Sequence, residues 1–230
     1  MQLTFHGHAC VSLTLPVSLT ADGGTLVIDP GTFSDTTTAL AGATAVLVTH
    51  DHADHLDAEA VLKHLGSSAS THVWGPASAM AELTTGGAPA ERVHEVVPGD
   101  VLEIAGTQVT VGGGAHAEIH PEVPRLAMNV TYLVQVDGGR VYHPGDSYEA
   151  PATVPDGGLD VLLVPVSGPW TRLREGIDFA RAVPAGAVVP IHDALLSEIG
   201  HTLTARWLDT ARLGGEYRYA HLQIGESLTV

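Results

Sequence analysis

The chain has 230 residues, of which 44% are hydrophobic and 16% are charged, so it can bury a sizeable core and is not a disordered chain. No Ser/Gly/Pro-rich stretch divides it, and we expect one domain over residues 1–230. The formal net charge is -16, with Lys63 as the only lysine. Because nucleic-acid binding depends on Lys and Arg at phosphates, this charge disfavours nucleic acid as a partner and favours a small-molecule substrate.

The cysteine content and the apolar runs indicate the cellular setting. The single cysteine, Cys10, excludes an intramolecular disulfide and is expected to be a small core residue rather than a nucleophile. No signal-peptide pattern opens the chain, and no apolar run approaches the length of a membrane span. The sequence therefore predicts a cytoplasmic protein. It leaves the oligomeric state open, and a homo-oligomer is compatible with it.

The first part of the chain predicts an antiparallel meander. Its strands are expected over residues 2–5, 10–15 and 25–28, with a turn at residues 22–24. The apolar run 45–48 then predicts a buried strand that leads into a polar loop.

That polar loop, residues 49–55 (THDHADH), points to a metal site. Three imidazoles and two carboxylates within six residues cannot pack as a core, because burying unpaired charges is costly. Imidazole nitrogen and carboxylate oxygen are ligands for Zn²⁺ and its first-row neighbours. The alternative is a solvent-exposed loop that happens to be His-rich, which would leave the later histidines unexplained.

A βα rhythm follows the loop. We expect a helix over residues 57–65 with Asp57 as its N-cap, a strand over 71–74 and a short helix over 77–83. The histidines of this region have no motif around them and are expected to be ordinary surface or edge residues: His64, His72 and His94.

Strands dominate the middle of the chain, at residues 101–104, 107–111, 129–136 and 140–143. The three glycines before His116 let the backbone pass close to a metal site. His120 is the rival of His116 as a ligand, or a substrate contact. The last of these strands leads into Pro144-Gly145-Asp146.

Two more buried strands and a helix are expected near the end. The apolar run 159–166 predicts a strand buried on both faces. A helix over 177–183 and a strand over 187–191 lead to His192. The closing segment predicts an amphipathic helix over 194–213, and strands over 217–224 and 227–230 that complete the second sheet. The apolar face of that helix is expected to carry Leu195, Ile199, Leu203, Trp207, Leu208 and Leu213.

The pattern His50-x-His52-x-Asp54-His55 resembles the H-x-H-x-D-H signature of the metallo-β-lactamase-fold hydrolases, and the later elements follow in that family's order. Gly7-His8-Ala9 is similar to an element of the subfamily that contains ascorbate-phosphate lactonase. The resemblance implies an α/β (α+β) fold, a four-layer αβ/βα sandwich in a single domain. Asp193 departs from the residues usual in that subfamily after the last histidine.

The resemblance also implies a ligand set for two divalent metal ions, with zinc favoured, manganese next, and iron or nickel as further options. The implied ligands are His50, His52 and His116 for one ion, Asp54, His55 and His192 for the other, and Asp146 between the two. Asp29 would support the metal loop; a plain turn residue is the alternative.

Other residues are implied around the metals. His8 is a candidate catalytic residue beside Asp54 and Asp146, with a solvent-facing hairpin histidine as the alternative. Trp170, with Arg172 or Arg174, is the candidate substrate wall, although a Trp in an exposed loop would fit the sequence equally well. His143 is expected beside the ligands rather than among them.

The implied reaction is hydrolysis of a small-molecule lactone, ester or phosphoester. A metal-bound hydroxide would be the nucleophile, and Asp54 or a metal-bound water would carry the proton to the leaving group. The alternatives are a phosphodiesterase of the same fold and a metal-binding protein without hydrolytic turnover. The fold does not choose between them, because one scaffold hosts many chemistries.

Overall fold

Two mixed sheets of seven strands each lie face to face in the computed structural model, which describes residues 1–15, 24–124, 128–136, 138–209 and 215–230. Helices cover the outer face of each sheet. The layers therefore follow the order helix, sheet, sheet, helix, and the predicted four-layer sandwich is confirmed.

The first sheet contains the N-terminal strands and one strand from the end of the chain. In chain order its strands are β1 (Gln2–Gly7), β2 (Cys10–Leu15), β3 (Gly24–Ile28), β4 (Ala45–Leu47), β5 (His72–Gly75), β6 (Val93–Glu95) and, numbered by its place in the chain, β14 (Ser227–Thr229). Across the sheet the order is β14-β1-β2-β3-β4-β5-β6. The pairs from β14 to β3 are antiparallel, and those from β3 to β6 are parallel.

The second sheet has the same division into two halves. Its strands are β7 (Val101–Ile104), β8 (Thr107–Gly113), β9 (Val130–Val136), β10 (Gly139–His143), β11 (Leu159–Pro165), β12 (Ala185–Ile191) and β13 (Arg218–Tyr219). Across the sheet the order is β13-β12-β11-β10-β9-β8-β7, so each strand lies beside its neighbours in the sequence. Pairing is antiparallel from β7 to β10 and parallel from β10 to β13.

Five α-helices occur among the described residues. They are α1 (Thr36–Leu40), α2 (Ala58–Ser67), α3 (Ala77–Thr85), α4 (Leu173–Ala182) and α5 (Glu198–Leu208), with a 3₁₀ turn at Ala90–Arg92. As the sequence predicts, the side chain of Asp57 caps α2 by accepting the N–H of Ala60. Within the described part of the chain, no helix has both the length and the apolar character needed to cross a membrane.

Alternating side chains of the central strands fill separate cores. In β11, Val161 and Leu163 pack between the sheets, whereas Leu162 and Val164 pack under α4 and α5. Because successive strand side chains point to opposite faces, an apolar run buried on both sides needs a layer on each side. Each such fully buried side chain contributes roughly 1.5–3 kcal/mol relative to an exposed one.

The C-terminal segment differs from the prediction in two respects. Strand β14 joins the first sheet, not the second, because Thr229 pairs with Gln2. Helix α5 packs through Thr204 and Leu208. The predicted apolar face is therefore confirmed at Leu208 but wrong at Leu195, Ile199 and Leu203, which are exposed.

Some predicted elements lie partly outside the described residues, and others were not predicted. Residues 22–23 of the first predicted turn and residues 210–213 of the predicted closing helix belong to the undescribed part. Helix α1 and strand β6 are additions to the prediction. Neither carries a strong sequence pattern, since α1 is the five-residue run TTTAL and β6 has only three residues.

Candidate metal centre

Asp29 anchors the segment that follows β4. Ile28 of β3 pairs with Leu47 of β4 in parallel register, so the two strands end at the same edge of the sheet. Oδ1 of Asp29 accepts a hydrogen bond from the backbone N–H of Thr49 at 2.7 Å, and Oδ2 accepts one from the Thr49 hydroxyl at 2.7 Å. Asp29 is therefore part of the support of the histidine loop, not a plain turn residue.

Gly31 brings the same turn against the histidine loop. A Cβ atom at Gly31 would lie 1.9 Å from the carbonyl oxygen of Asp54 and 2.5 Å from the backbone nitrogen of His55. No side chain fits in that space, because the neighbours are backbone atoms that cannot rotate away. This close approach fixes where Asp54 and His55 lie relative to β3.

Two groups of side chains meet at this edge of the sheets. Within each group, one ligand-type atom from every residue lies within 4.8 Å of the others. The first group is His50, His52, His116 and Asp146, and the second is His8, Asp54, His55 and His192. All seven predicted metal ligands thus lie in the two groups, and they come from loops after β4, β8, β10 and β12.

Asp146 lies between the two groups, with one oxygen toward each. Its Oδ2 is 3.1 Å from Nε2 of His116 and 3.9 Å from Nε2 of His50. Its Oδ1 is 3.0 Å from Nε2 of His55 and 3.2 Å from Nε2 of His192. A carboxylate in this position can contact two cations at once, one through each oxygen.

Four of the imidazoles are oriented by hydrogen bonds that lead away from the centre. In each, Nδ1–H donates to a fixed acceptor, which leaves the lone pair of Nε2 directed toward the group. The acceptors are the Asp29 carboxylate for His55 (2.7 Å), the Ala117 carbonyl for His116 (2.6 Å), the Ser167 carbonyl for His192 (2.5 Å) and the Thr49 hydroxyl for His50 (3.0 Å). The Thr49 hydroxyl accepts because its own proton goes to Asp29.

His8 is oriented in the opposite sense. Its Nδ1 accepts the N–H of Ala194 at 3.3 Å, so its proton is on Nε2, which donates to Oδ2 of Asp54 at 3.1 Å. Its backbone has a φ of +53°, which is uncommon for a residue with a side chain. His8 is buried rather than solvent-facing, and it holds Asp54 instead of presenting a lone pair.

The donor atoms fit divalent cations. Three of the buried side-chain atoms that have no hydrogen-bond partner among the described residues belong to this centre: Nε2 of His55, Nε2 of His192 and Oδ1 of Asp146. Two imidazole lone pairs and a carboxylate oxygen that face one another can all be satisfied by one cation. Imidazole and carboxylate ligands suit zinc and its first-row neighbours.

The charge of the centre also favours cations. Burial tends to raise the pKa of Asp146, but the imidazoles of His55, His116 and His192 outweigh burial and hold that pKa well below its usual range. Burial tends to lower the pKa of His55, yet the carboxylates of Asp146 and Asp29 raise it well above its ordinary value. The buried carboxylate is thus ionised and attracts positive charge, either protons or metal.

The remaining predicted site residues fall in different places. His120 is exposed and outside both groups, with its Nδ1 accepting the N–H of Glu122. Trp170 is buried and donates from Nε1 to Oδ2 of Asp146 at 3.0 Å, so the alternative of an exposed-loop Trp is wrong. Arg172, at the N-cap of α4, and Arg174, in its first turn, are both exposed and pair with acidic residues of that helix.

Asn129 supports the centre although no sequence pattern indicates it. Its Oδ1 accepts the N–H of Asp146 at 2.9 Å, and its Nδ2 donates to the carbonyl of Pro144 at 2.9 Å. Between them, Gly145 has a φ of +57°, and a Cβ there would lie 2.1 Å from Oδ1 of Asn129.

His143 is buried beside this turn and donates from Nε2 to the carbonyl of Ala9. It lies outside both groups, as expected.

A cavity of about 670 Å³ adjoins the second group at His8. Its wall includes apolar side chains, among them Phe33, Leu196 and Ile224. Pockets for small molecules typically measure roughly 300–1,000 Å³ and combine apolar walls with a few polar groups. The cavity is therefore large enough for a small organic molecule next to His8.

Comparisons with known proteins agree with the fold. A family model described as a beta-lactamase superfamily domain matches residues 2–192, a range that includes every predicted metal ligand. Protein Rv0786c of Mycobacterium tuberculosis is 37% identical over 200 residues, covering 86% of each chain. A UPF0173 metal-dependent hydrolase of Methanoculleus marisnigri is 31% identical over 241 aligned positions, covering 100% of this chain and 97% of that protein.

A solved structure has the same fold. The metallo-beta-lactamase fold protein YhfI from Bacillus subtilis superposes with a TM-score of 0.73 at 15% identity, covering 99% of this chain and 98% of that one. The narrower likeness to ascorbate-phosphate lactonase stays a prediction. On its sequence match and its four-layer architecture, the chain belongs to the beta-lactamase superfamily and has the metallo-β-lactamase fold.

Proposed function

We propose that the protein is a metal-dependent hydrolase that uses two divalent ions on a small-molecule lactone, ester or phosphoester. The observation that carries the proposal is the position of Asp146, whose two oxygens face two separate groups of imidazoles. Zinc is the favoured metal and manganese the next, with iron or nickel as further options. The relative from Methanoculleus marisnigri, named a metal-dependent hydrolase, supports the same reaction class.

The first ion would be held by His50, His52 and His116, and the second by Asp54, His55 and His192, with Asp146 serving both. Divalent cations at such a site lower the pKa of water and stabilise negative charge that develops on a carbonyl or phosphoryl oxygen. The hydrogen bonds from Nδ1 of the imidazoles keep their lone pairs aimed at the centre, so little reorganisation is needed when ions bind.

Asp54 is the group proposed to take a proton from the attacking water and pass it to the leaving group. Its side chain is 23% exposed, whereas the Asp146 side chain is 3% exposed, so Asp54 is the carboxylate that a substrate can reach. Nε2 of His8 donates to its Oδ2 and fixes its orientation. His8 is therefore a positioning residue in this proposal.

The cavity beside His8 supports a small substrate. A bound molecule there would lie against His8, whose Nε2 contacts Asp54, with its apolar part against Phe33 and Ile224. The contributions of His120 and Arg172 to substrate binding remain part of the proposal, since both are exposed in the present arrangement. Trp170 would act on the substrate through Asp146, to which it is hydrogen bonded.

The test combines elemental analysis of purified protein with a panel of lactones, aryl esters and bis-nitrophenyl phosphate. We expect bound divalent metal and turnover of at least one class, and His52→Ala should lose that turnover by about 1,000-fold or more, since metal-assisted catalysis depends on intact ligation. The matched control is His94→Ala, a half-buried histidine of β6 that is not in either group.

Three results decide among the candidate functions. Full turnover by His52→Ala would contradict the mechanism. Tightly bound metal without turnover of any substrate would favour the non-hydrolytic metal-binding protein. A preference for bis-nitrophenyl phosphate over every lactone and carboxylic ester would favour the phosphodiesterase.

A further inference from the structure

A third group of metal-ligand side chains lies outside the seven residues assigned above. It consists of Asp193 at the end of β12, His201 on α5 and His221 after β13. One ligand-type atom from each lies within 4.8 Å of the others. All three residues follow position 192, the last residue matched by the family model. We propose that this group is a third binding site for a divalent cation, with zinc as its favoured occupant.

The distances within the group suit an ion better than hydrogen bonds. Oδ2 of Asp193 is 4.0 Å from Nδ1 of His201 and 4.0 Å from Nε2 of His221. Hydrogen bonds between nitrogen and oxygen require about 2.7–3.2 Å. Ligands of a tetrahedral zinc ion, each about 2.0–2.2 Å from the metal, lie roughly 3.3–3.6 Å from each other. The gap between these atoms is therefore too wide for hydrogen bonds and a few tenths of an ångström wider than a bound zinc ion would leave.

The burial of the Asp193 carboxylate also favours a bound cation. Its side chain is 9% exposed, and a nearly buried carboxylate is costly without a positive partner. Among the described residues, no Lys or Arg forms an ion pair with it, and its charged contacts are His201 and His221. A divalent ion would neutralise the carboxylate and use the lone pairs of both imidazoles.

The two imidazoles are arranged as a pair. Their ring centroids are 4.9 Å apart and their planes differ by 22°, so their edges can face one point together. The side chains of His201 and His221 are 27% and 28% exposed, which gives an ion a path from solvent. Three protein ligands leave at least one coordination position open, as in zinc sites that bind an exchangeable ligand.

The third site shares a cavity with the main centre but not its ligands. Asp193, His201 and His221 line the cavity of about 670 Å³, and His8 lines it at the other group. None of the three is a proposed ligand of the first two ions. The inference is therefore independent of the proposed function, and each can fail alone.

The test counts ions in variants that keep the main centre intact. Protein stripped with a chelator is reconstituted with excess zinc, freed of unbound metal and analysed for zinc per chain. The double variant His201→Ala/His221→Ala should hold one ion fewer than the wild type. The matched control is His72→Ala/His94→Ala, which removes another stacked histidine pair, with centroids 5.1 Å apart, and should keep the wild-type count.

Two further measurements keep the result decisive. Asp193→Asn preserves size and should weaken zinc binding at this site by at least about tenfold, since it removes the only anionic ligand. Anomalous scattering at the zinc edge in crystals of the wild type should place an ion between the three side chains. Equal zinc counts in the two double variants, or an anomalous map with peaks at the main centre and none at Asp193, would overturn the proposal.

Discussion

Asp29 and His55 are joined by a hydrogen bond of 2.7 Å, and both side chains are fully buried. Because Asp29 can only accept, His55 carries a proton on Nδ1, and its Nε2 faces Asp146, where its lone pair is available to a bound cation. The same carboxylate holds the backbone N–H of Thr49. The buried side chain of Asp29 thus fixes the tautomer of His55. It also fixes the start of the loop that carries three other proposed metal ligands.

The first prediction concerns Asp29→Asn. Asparagine tolerates the positive φ of this position, +51°, so the turn should be kept while the charge is lost. Removing such a supporting carboxylate typically lowers metal affinity about 10- to 100-fold, and we expect that loss in a zinc competition titration. Asp57→Asn, the same change at the cap of α2, is the control and should bind zinc normally. Equal affinity in the two variants would mean that Asp29 does not act through His55.

The second prediction separates the two carboxylates. Asp146→Asn should weaken binding of both ions, because each oxygen of Asp146 faces a different group. Asp54→Asn should weaken only the second, since Asp54 contacts His8 and His192 of that group. Zinc titrations followed by isothermal calorimetry would resolve one or two altered steps. If Asp146→Asn altered a single step, the carboxylate would not be shared.

The third prediction concerns Trp170→Phe. The change keeps a buried aromatic ring but removes the N–H that donates to Oδ2 of Asp146. Hydrogen bonds to charged groups contribute about 1.5–3 kcal/mol, which corresponds to roughly 10- to 100-fold in affinity or rate. We expect a loss of that size in zinc affinity or in turnover of the best substrate. Trp74→Phe, at a ring that stacks on His72 and His94, is the control and should leave both unchanged.

The local pattern of the sequence indicates only part of the proposed ligand set, and His116, Asp146 and His192 were expected on the resemblance to the family. The run from His50 to His55 is compact and follows an apolar strand, so residue type and spacing reveal it. Asn129 and Trp170 contact Asp146 from 17 and 24 positions away, and neither residue type indicates a metal site. Only the folded chain brings them to the carboxylate.

The errors in the predicted fold have the same cause, because local patterns do not show which segments meet in the folded chain. The two sheets and most strands follow from alternating or continuous apolar runs. The partner of a short edge strand such as β14 depends on which sheet edge is free, which the local pattern does not encode. The apolar stripe of the predicted closing helix indicated burial of Leu208, which is buried, and of Leu195, Ile199 and Leu203, which are not. A stripe gives only the relative positions of side chains. Whether it is covered depends on what packs against the helix.

The fourth prediction concerns the reactivity of Cys10. Its side chain is fully buried in β2, and burial, together with the negative charge of Asp29, raises the pKa of the thiol far above its usual range. A thiol whose pKa is raised stays protonated through neutral and mildly alkaline pH, and only the thiolate reacts quickly. Labelling by a disulfide reagent at pH 8 should be at least about 100-fold slower in the native protein than in urea. Fast labelling without denaturant would show that β2 opens readily.

The fifth prediction tests the contact between the turn after β3 and the histidine loop. Gly31→Ala would place a Cβ 1.9 Å from the carbonyl oxygen of Asp54, and the clash involves backbone on both sides. Overpacking of this kind costs about 1–3 kcal/mol or more, and moving the loop should also displace Asp54 and His55 from the second group. We expect a lower midpoint in urea unfolding together with loss of zinc from that group.

Gly66→Ala is the matched control, because a Cβ at Gly66, within α2, meets nothing within 4 Å. Alanine should stabilise that helix by up to about 1 kcal/mol and leave zinc binding intact. If Gly31→Ala kept both its zinc and its unfolding midpoint, the loop would be able to move without losing its ligands, and the rigid link between Asp29 and the metal loop would be refuted.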